Sequence, residues 1–271
     1  MSVPTAASPA TAPDIACADD ELRASLRTPG ETGSVHSWEL VTAVDGPGTR
    51  LTFFLAGCPL RCLYCQNPDT WQMRRGERQT FEQVVGRIER YAPVLRTTGG
   101  GVTISGGEPL LQAQFVENVF AHCQRLGVHT ALDTSGFLGA RASNQLLANT
   151  DLVLLDVKSG DPDTYRKVTG RPLQPTLDFG ERLSAQGIPI WMRYVLVPDL
   201  TDDEASIEKV ADYAASLSTL ERIEVLPFHQ MGREKWRALN EPYSLEDTEP
   251  PSPELVARVR RQFADRGLTV F

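Results

Sequence analysis

The chain has 271 residues, long for one domain and short for two. Its 27 basic and 35 acidic residues leave a net charge of -8, opposite to the basic footprint of a protein built to hold nucleic acid. No apolar run approaches the roughly 18 residues of a membrane span, and the N-terminus lacks the basic and apolar regions of a secretory signal. A cytoplasmic protein with neither a membrane nor a nucleic-acid partner is expected.

Residues 1–33 are rich in Ala, Pro, Thr and Ser and carry no apolar period. Such a stretch cannot bury enough surface to offset its ordering entropy, so it reads as a disordered extension that includes Cys17. One domain is expected over 34–271. Strands are expected at 51–55 (LTFFL), 101–105 (GVTIS), 129–133 (HTALD), 152–157 (LVLLDV), 190–196 (IWMRYVL) and 223–227 (IEVLP). Helices are expected between them, at 81–91, 114–126, 143–148, 176–186 and 203–217. In the second of these, Phe115, Val119, Cys123 and Leu126 recur at helical spacing, and Gly127 supplies the stop. A last helix over 253–265 and a closing strand over 268–271 complete the pattern. Six strands alternating with helices make an α/β fold with a parallel sheet. The strands are apolar on both faces, as when helices cover one side and a filled interior lies on the other.

Polar residues gather where these strands end: Ser105-Gly106-Gly107-Glu108, Asp133-Thr134-Ser135, Asp156-Val157-Lys158, Arg193, and His229 after the sixth. Ligands of parallel α/β sheets and barrels bind at the carboxyl ends of strands, so these groups mark one mouth. Taken alone, the glycine pair is also a plain strand-to-helix turn, and strand-end aspartates often cap helices.

Five cysteines are present, three of them spaced Cys58-x3-Cys62-x2-Cys65. The clustering speaks for a metal in a reducing compartment rather than a disulfide framework. A structural zinc wants four protein ligands, and no histidine follows at finger-like spacing. Iron–sulfur clusters usually take four cysteines, but Cys17 lies in the extension and Cys123 on an apolar helix stripe. The economical reading is a 4Fe–4S cluster with three protein ligands and one open iron. A zinc loop with a distant histidine is the alternative.

Cys-x3-Cys-x2-Cys after a first strand, then Gly-Gly-Glu after a second, resembles the radical S-adenosylmethionine superfamily. The ordered stretches VDGPGTRLTFFLAGCPLRCLYCQNPDTW, GGGVTISGGEPLLQ, HTALDTSGF, TDLVLLDVK, RYVLVP and LPFHQMGREKW resemble, more narrowly, its glycyl-radical-enzyme activases, above all those that serve pyruvate formate-lyase. The likeness runs from about Ser34 to the end of the chain. It implies an incomplete (β/α)6 barrel in which Cys58, Cys62 and Cys65 hold a 4Fe–4S cluster and S-adenosylmethionine chelates the fourth iron.

It further implies that Tyr64 and Gln66 approach the adenine, and that Gly106, Gly107 and Glu108 meet the methionine amino group. Asp156, Val157, Lys158, Ser159, Gly160 and Arg193 would complete the cofactor wall, with His229 beside the ribose or adenine. Lys158 and Arg193 can equally pair with Asp156 or Asp133. A monovalent cation is implied at Asp133, Thr134, Asp156 and the Leu154 carbonyl. The turn Asp45, Gly46, Pro47 and Gly48, which such a sequence favours in any case, would contact the glycine-bearing loop of the partner, with Trp236 on the same docking face. Gln66 stands where the activases often carry His, and Pro109 where those of pyruvate formate-lyase often carry Ala. Flavodoxin or ferredoxin is the implied reductant. Two rivals stand beside this reading: an activase of another glycyl-radical enzyme, and a non-catalytic, metal-stabilised docking module. The second leaves the strand-end Asp, Lys and Arg residues without a purpose.

Overall fold

The computed structural model describes residues 30–42 and 44–271, with backbone alone at 41 and 42. Its strands are β1 (Thr32–Thr42), β2 (Arg50–Leu55), β3 (Glu77–Thr80), β4 (Gly101–Gly106), β5 (His129–Thr134), β6 (Leu152–Asp156), β7 (Ile190–Leu196) and β8 (Leu220–Pro227). They form one open sheet in the order β3-β1-β2-β4-β5-β6-β7-β8. From β2 to β8 the pairing is parallel throughout, and these six strands are the ones the apolar runs mark. The result is the expected α/β architecture, a partial barrel that does not close. At the expected closing strand over 268–271, Val270 forms a parallel bridge with Ile223, and three backbone hydrogen bonds join Thr269 and Phe271 to Ile223 and Val225 of β8.

The helices are α1 (Phe81–Thr97), α2 (Ala113–Arg125), α3 (Asn144–Ala148), α4 (Pro162–Thr169), α5 (Gln174–Ala185), α6 (Glu204–Ser216), α7 (Arg233–Leu239) and α8 (Pro253–Ala264). Local chemistry fixes their starts. Thr80 and Gln83 make a reciprocal capping box for α1, and Ser143, Asp161, Asp203 and Ser252 each accept a backbone N–H as N-caps. Gly127, with φ of 62°, turns the chain just after α2, where the sequence expects a stop. Helix α1 runs six residues beyond its expected end because Pro93 is accommodated inside it.

Side-chain alternation sorts the sheet into two faces. Leu51, Phe53, Leu55, Val102 and Ile104 pack under the helices in the main core, each contributing about 1.5–3 kcal/mol on burial. The opposite face lines the barrel interior. A small apolar cluster of Ala131, Leu152, Leu154 and Trp191 belongs to it, and polar Thr52, Thr103, Ser105, Asp133, Asp156 and Arg193 occupy other positions. The strands are thus less uniformly apolar than their composition implies.

Four elements were not expected. β1 pairs antiparallel with β2 and β3, and begins at Thr32, two residues before the boundary at Ser34. β3 is a polar edge strand with no apolar signature. Helix α4 carries an N-cap Asp161 and Pro162 at its first turn, a helix start signal that is local to the sequence. Helix α7 lies within the GREKW stretch. Apart from its last four residues, the 1–33 extension lies outside the described residues, as does Cys17. Among the described residues no helix is long and apolar enough to cross a membrane.

Candidate functional site

A cavity of about 310 Å³ opens at the carboxyl ends of the parallel strands, and all three clustered cysteines line it. A larger groove, about 1180 Å³, lies outside the cysteine loop between Arg61, Leu63, Arg166 and Tyr243. None of the strand-end polar groups reaches that groove, which leaves the smaller cavity as the candidate site.

The cysteine loop leaves β2 through Gly57, whose φ of 95° and lack of a side chain let Leu111 and Met73 close over it. The backbone is then held from both sides. Cys58 N–H donates to the Trp71 carbonyl at 3.0 Å, while Arg61 and Leu63 N–H donate to the carbonyls of Thr169 and Val168 at 2.9 and 3.0 Å. Arg61, buried, donates to the Cys58 and Leu60 carbonyls at 2.7 and 2.9 Å, and its guanidinium lies 4.9 Å from the Trp71 ring centroid. Burial pushes all three thiols up, Cys62 to about 12 even though the Lys158 ammonium opposes the shift. A metal held by these thiols would reverse this, because a coordinating thiol gives up its proton.

Gly106 and Gly107 are demanded by the chain itself. A Cβ at Gly106 would overlap the backbone of Leu55, and one at Gly107 the carbonyl of Gly57. Both still line the cavity, so their backbone faces any ligand there. Glu108 does not. Its carboxylate is buried and accepts from Thr134 Oγ1 at 2.6 Å, Ser135 Oγ at 2.5 Å, Ser135 N at 3.0 Å and Leu110 N at 3.1 Å. It ties the loop after β4 to the end of β5.

Charges at the mouth are paired. Lys158 bonds Asp156, and Arg193 bridges Asp133 at 3.3 Å and Glu224 at 3.1 Å while donating to the Val44 carbonyl. Ser105 adds a 2.6 Å hydrogen bond to Asp133. Burial pulls the Lys158 ammonium down, but Asp156, Tyr64 and Cys62 outweigh it and hold the pKa well above the ordinary lysine value. Burial raises the Asp133 carboxyl, opposed by Arg193. Among the described residues that line the cavity, three buried atoms are left without partners: the Tyr64 hydroxyl, Gln66 Oε1 and Asp156 Oδ1. An unpaired buried polar atom costs about 1–3 kcal/mol, so these are places where a polar ligand fits. Gln66 Nε2 donates to the His229 carbonyl at 3.0 Å, drawing the two expected nucleotide residues together.

The expected set therefore divides. Cys58, Cys62, Cys65, Tyr64, Gln66, Gly106, Gly107, Asp133, Thr134, Asp156, Lys158, Arg193 and His229 share the cavity. Glu108, Val157, Ser159, Gly160 and Leu154 do not line it. Val157 is in the main core, and Ser159 and Gly160 bond the Ser206 hydroxyl at 2.9 and 3.2 Å. Leu154 packs in the interior cluster, opposite Asp133 in the sheet. The Asp45 turn is closer to the site than its place before the first parallel strand implies. Asp45 is only 8% exposed, accepts from Thr52 Oγ1 at 3.2 Å, and its carbonyl accepts from Thr103 Oγ1 at 2.6 Å. Trp236 is a correction: it is 1% exposed, packed edge-on against Trp71, and cannot be a docking residue. Arg61 and Trp71 were missed, although both lie in the stretch that carries the cysteines.

Among the described residues, no three His, Cys, Asp or Glu side chains converge as ligands of one metal ion. Three thiols around one cavity, with two acidic residues kept in ion pairs, fit a larger, softer cluster better than a zinc ion.

Comparison with known proteins agrees. The Radical SAM superfamily profile matches residues 52–211. A pyruvate formate-lyase-activating enzyme from Staphylococcus epidermidis is 44% identical over 236 residues, covering 84% of this chain and 94% of that protein. The solved structure of a domain of pyruvate-formate lyase-activating enzyme from Bacteroides vulgatus matches with a TM-score of 0.54 at 28% identity, over 64% of this chain and 98% of that one. Streptococcus suis SuiB bound to S-adenosylmethionine shares the fold at a TM-score of 0.58 and 15% identity, over 79% of this chain and 47% of that one.

Proposed function

The chain belongs to the radical SAM superfamily and, within it, to the pyruvate formate-lyase-activating enzymes, and from that premise we propose how its residues divide the work. The protein is a radical SAM enzyme that activates pyruvate formate-lyase by generating a glycyl radical in it. The observation that carries this reading is the convergence of Cys58, Cys62 and Cys65 with Asp156, Lys158, Arg193 and His229 on one cavity at the strand ends.

Cys58, Cys62 and Cys65 would hold a 4Fe–4S cluster, leaving one iron for S-adenosylmethionine. When bound, the cluster supplies the electron that cleaves S-adenosylmethionine to methionine and the 5′-deoxyadenosyl radical that takes a glycine Cα hydrogen. The protein's part is placement. Tyr64, Gln66 and His229 line the side of the cavity assigned to the nucleoside, and the unpartnered Tyr64 hydroxyl and Gln66 Oε1 support that assignment. The backbone at Gly106 and Gly107, with Lys158 and Arg193, lines the side assigned to the methionine end. Glu108 acts behind it by fixing the Thr134–Ser135 backbone.

A monovalent cation at Asp156, Asp133, Thr134 and the Leu154 carbonyl has one supporting observation, the unpartnered Asp156 Oδ1. Asp133 is less available, being already claimed by Arg193 and Ser105. The turn from Asp45 to Gly48 is assigned to the partner's glycyl loop. A one-electron carrier such as flavodoxin or ferredoxin is the reductant, and the reaction takes place in the cytoplasm.

Anaerobic reconstitution tests the reading. The protein should bind about four irons, its reduced electron paramagnetic resonance signal should change when S-adenosylmethionine is added, and a glycyl radical should appear on pyruvate formate-lyase. A cluster signal indifferent to S-adenosylmethionine would remove the open iron, and with it the proposed mechanism.

A further inference from the structure

The peptide of Cys65 is gripped by a segment 171 residues further along the chain. Trp236 Nε1 donates to the Cys65 carbonyl at 2.8 Å, and its indole is fully enclosed. Trp71, at 5.0 Å and 90°, meets it edge-on, and Tyr243, at 5.0 Å and 29°, stacks on it. The neighbouring Lys235 reaches the same loop, donating to Asn67 Oδ1 at 2.7 Å and pairing with Asp69 at 3.1 Å. Gly232 lies so close that a Cβ there would sit 3.0 Å from the Cys65 carbonyl oxygen and from Gln66. At the upstream end of this segment, the His229 carbonyl accepts from Gln66 Nε2. One short stretch, residues 229–236, therefore touches three consecutive features of the cysteine loop: Cys65, Gln66 and Asn67.

We propose that residues 229–236 form a clasp that holds Cys65 in place as the third cluster ligand and locks it to the nucleotide side of the cavity, with Trp236 as its positioning residue. The inference rests on the reading of Cys65 as a ligand. Its physical content is that a backbone carbonyl next to a ligand, fixed by a buried N–H donor, restricts the torsions that would let the thiolate swing away. Cys58 is secured differently, by its own N–H on Trp71 and by Arg61 on its carbonyl. Loss of the clasp should therefore open the loop at its downstream end, at Cys65.

Two variants separate the N–H bond from mere packing. Trp236→Phe keeps an aromatic ring and removes the donor; Tyr243→Leu removes the stacked ring and keeps the donor. Both should lower the melting temperature of the apoprotein. Only Trp236→Phe should release iron to a chelator faster from the reconstituted holoenzyme, by about three- to tenfold for one neutral hydrogen bond. It should also blunt the change that S-adenosylmethionine makes in the reduced cluster's electron paramagnetic resonance signal. Release at the wild-type rate, or equal acceleration by both variants, overturns the clasp. Should Trp236→Phe fail to fold, Lys235→Met decides: its partly exposed side chain can be lost without harm to the core, and faster iron release is expected, whereas an unchanged rate overturns the proposal. A wild-type protein that binds no cluster would instead refute the reading of Cys65 beneath it.

Discussion

Thr134 donates its hydroxyl proton to Glu108 at 2.6 Å, so a buried carboxylate after β4 sets the position of a residue at the end of β5. With Ser135 and Leu110 also donating, Glu108 is consumed inside the protein. Glu108→Gln replaces one acceptor oxygen by an NH2 that faces these donors. The cost should be about 1.5–3 kcal/mol, the range for hydrogen bonds to a charged group. Thermal denaturation should show the loss, and S-adenosylmethionine should bind more weakly to the reconstituted variant because the Thr134–Ser135 wall has loosened. An unchanged melting temperature would show that Glu108 is not the tie described.

The cysteines give a second expectation. Alanine at Cys58, Cys62 or Cys65 should each abolish iron binding and cleavage of S-adenosylmethionine. Cys123 is enclosed in the main core on α2, where burial pushes its thiol to about 12, and it does not line the cavity that holds the other three. Cys123→Ala should keep full iron content and lose about 1 kcal/mol of stability, the scale for a small cavity. Iron analysis beside a urea titration checks both halves. Iron lost with Cys123 would end the three-ligand model.

These residues also show how far the sequence could be read. The cysteine spacing and the strand-end polar groups are local signals, and the structure collects nearly all of them in one cavity. The failures have physical causes. Asp156 and Lys158 face the cavity, but Val157 between them points the other way into the core, as strand-like alternation requires. Beyond it, Ser159 and Gly160 belong to the Ser206 hydroxyl. β3, with sequence Glu-Arg-Gln-Thr, has no apolar pattern and is a strand because β1 offers an edge to pair with. Trp236 is buried by Trp71 and Tyr243, a relationship that composition at the end of the chain cannot reveal.

At the other end of the barrel, Arg50 is fully buried and its Nη1 lies 3.2 Å from His129 Nδ1. For Arg50 to donate there, the imidazole must be neutral. Burial, and then Arg50, hold the His129 pKa below its ordinary 6.5. Between that depressed value and 6.5 the unfolded chain binds the proton and the folded one does not. Stability therefore rises with pH across this window and is lost as pH falls through it. Urea midpoints of wild type and His129→Gln at pH 7 and pH 5.5 test this. The wild type should lose more stability on acidification than the variant; equal losses would free His129 from any part in the pH dependence.

The last expectation concerns Asp45. Its carboxylate accepts from Thr52, its carbonyl accepts from Thr103, and the carbonyl before it accepts from Arg193, which also pairs with Asp133. The turn is thus tied to the cavity wall, and a substitution that deforms it would disturb cofactor binding. Asp45→Asn avoids this, because the amide oxygen can still accept from Thr52 while the charge is lost. If Asp45 grips the partner's glycyl loop, cluster content and affinity for S-adenosylmethionine should stay near wild type. Activation of pyruvate formate-lyase should fall by about ten- to hundredfold in kcat/KM, the worth of one charge-assisted hydrogen bond of about 1.5–3 kcal/mol. Thr52→Val serves as the converse: it removes the bond that holds the carboxylate but keeps the charge. It should lower the melting temperature more than it lowers activation. Glycyl radical yield and cofactor affinity, measured on the same preparations, decide between the two roles. If the Asp45→Asn variant loses affinity for S-adenosylmethionine in step with activation, the turn is a brace for Arg193 and the wall it supports, and the partner's loop must be held elsewhere.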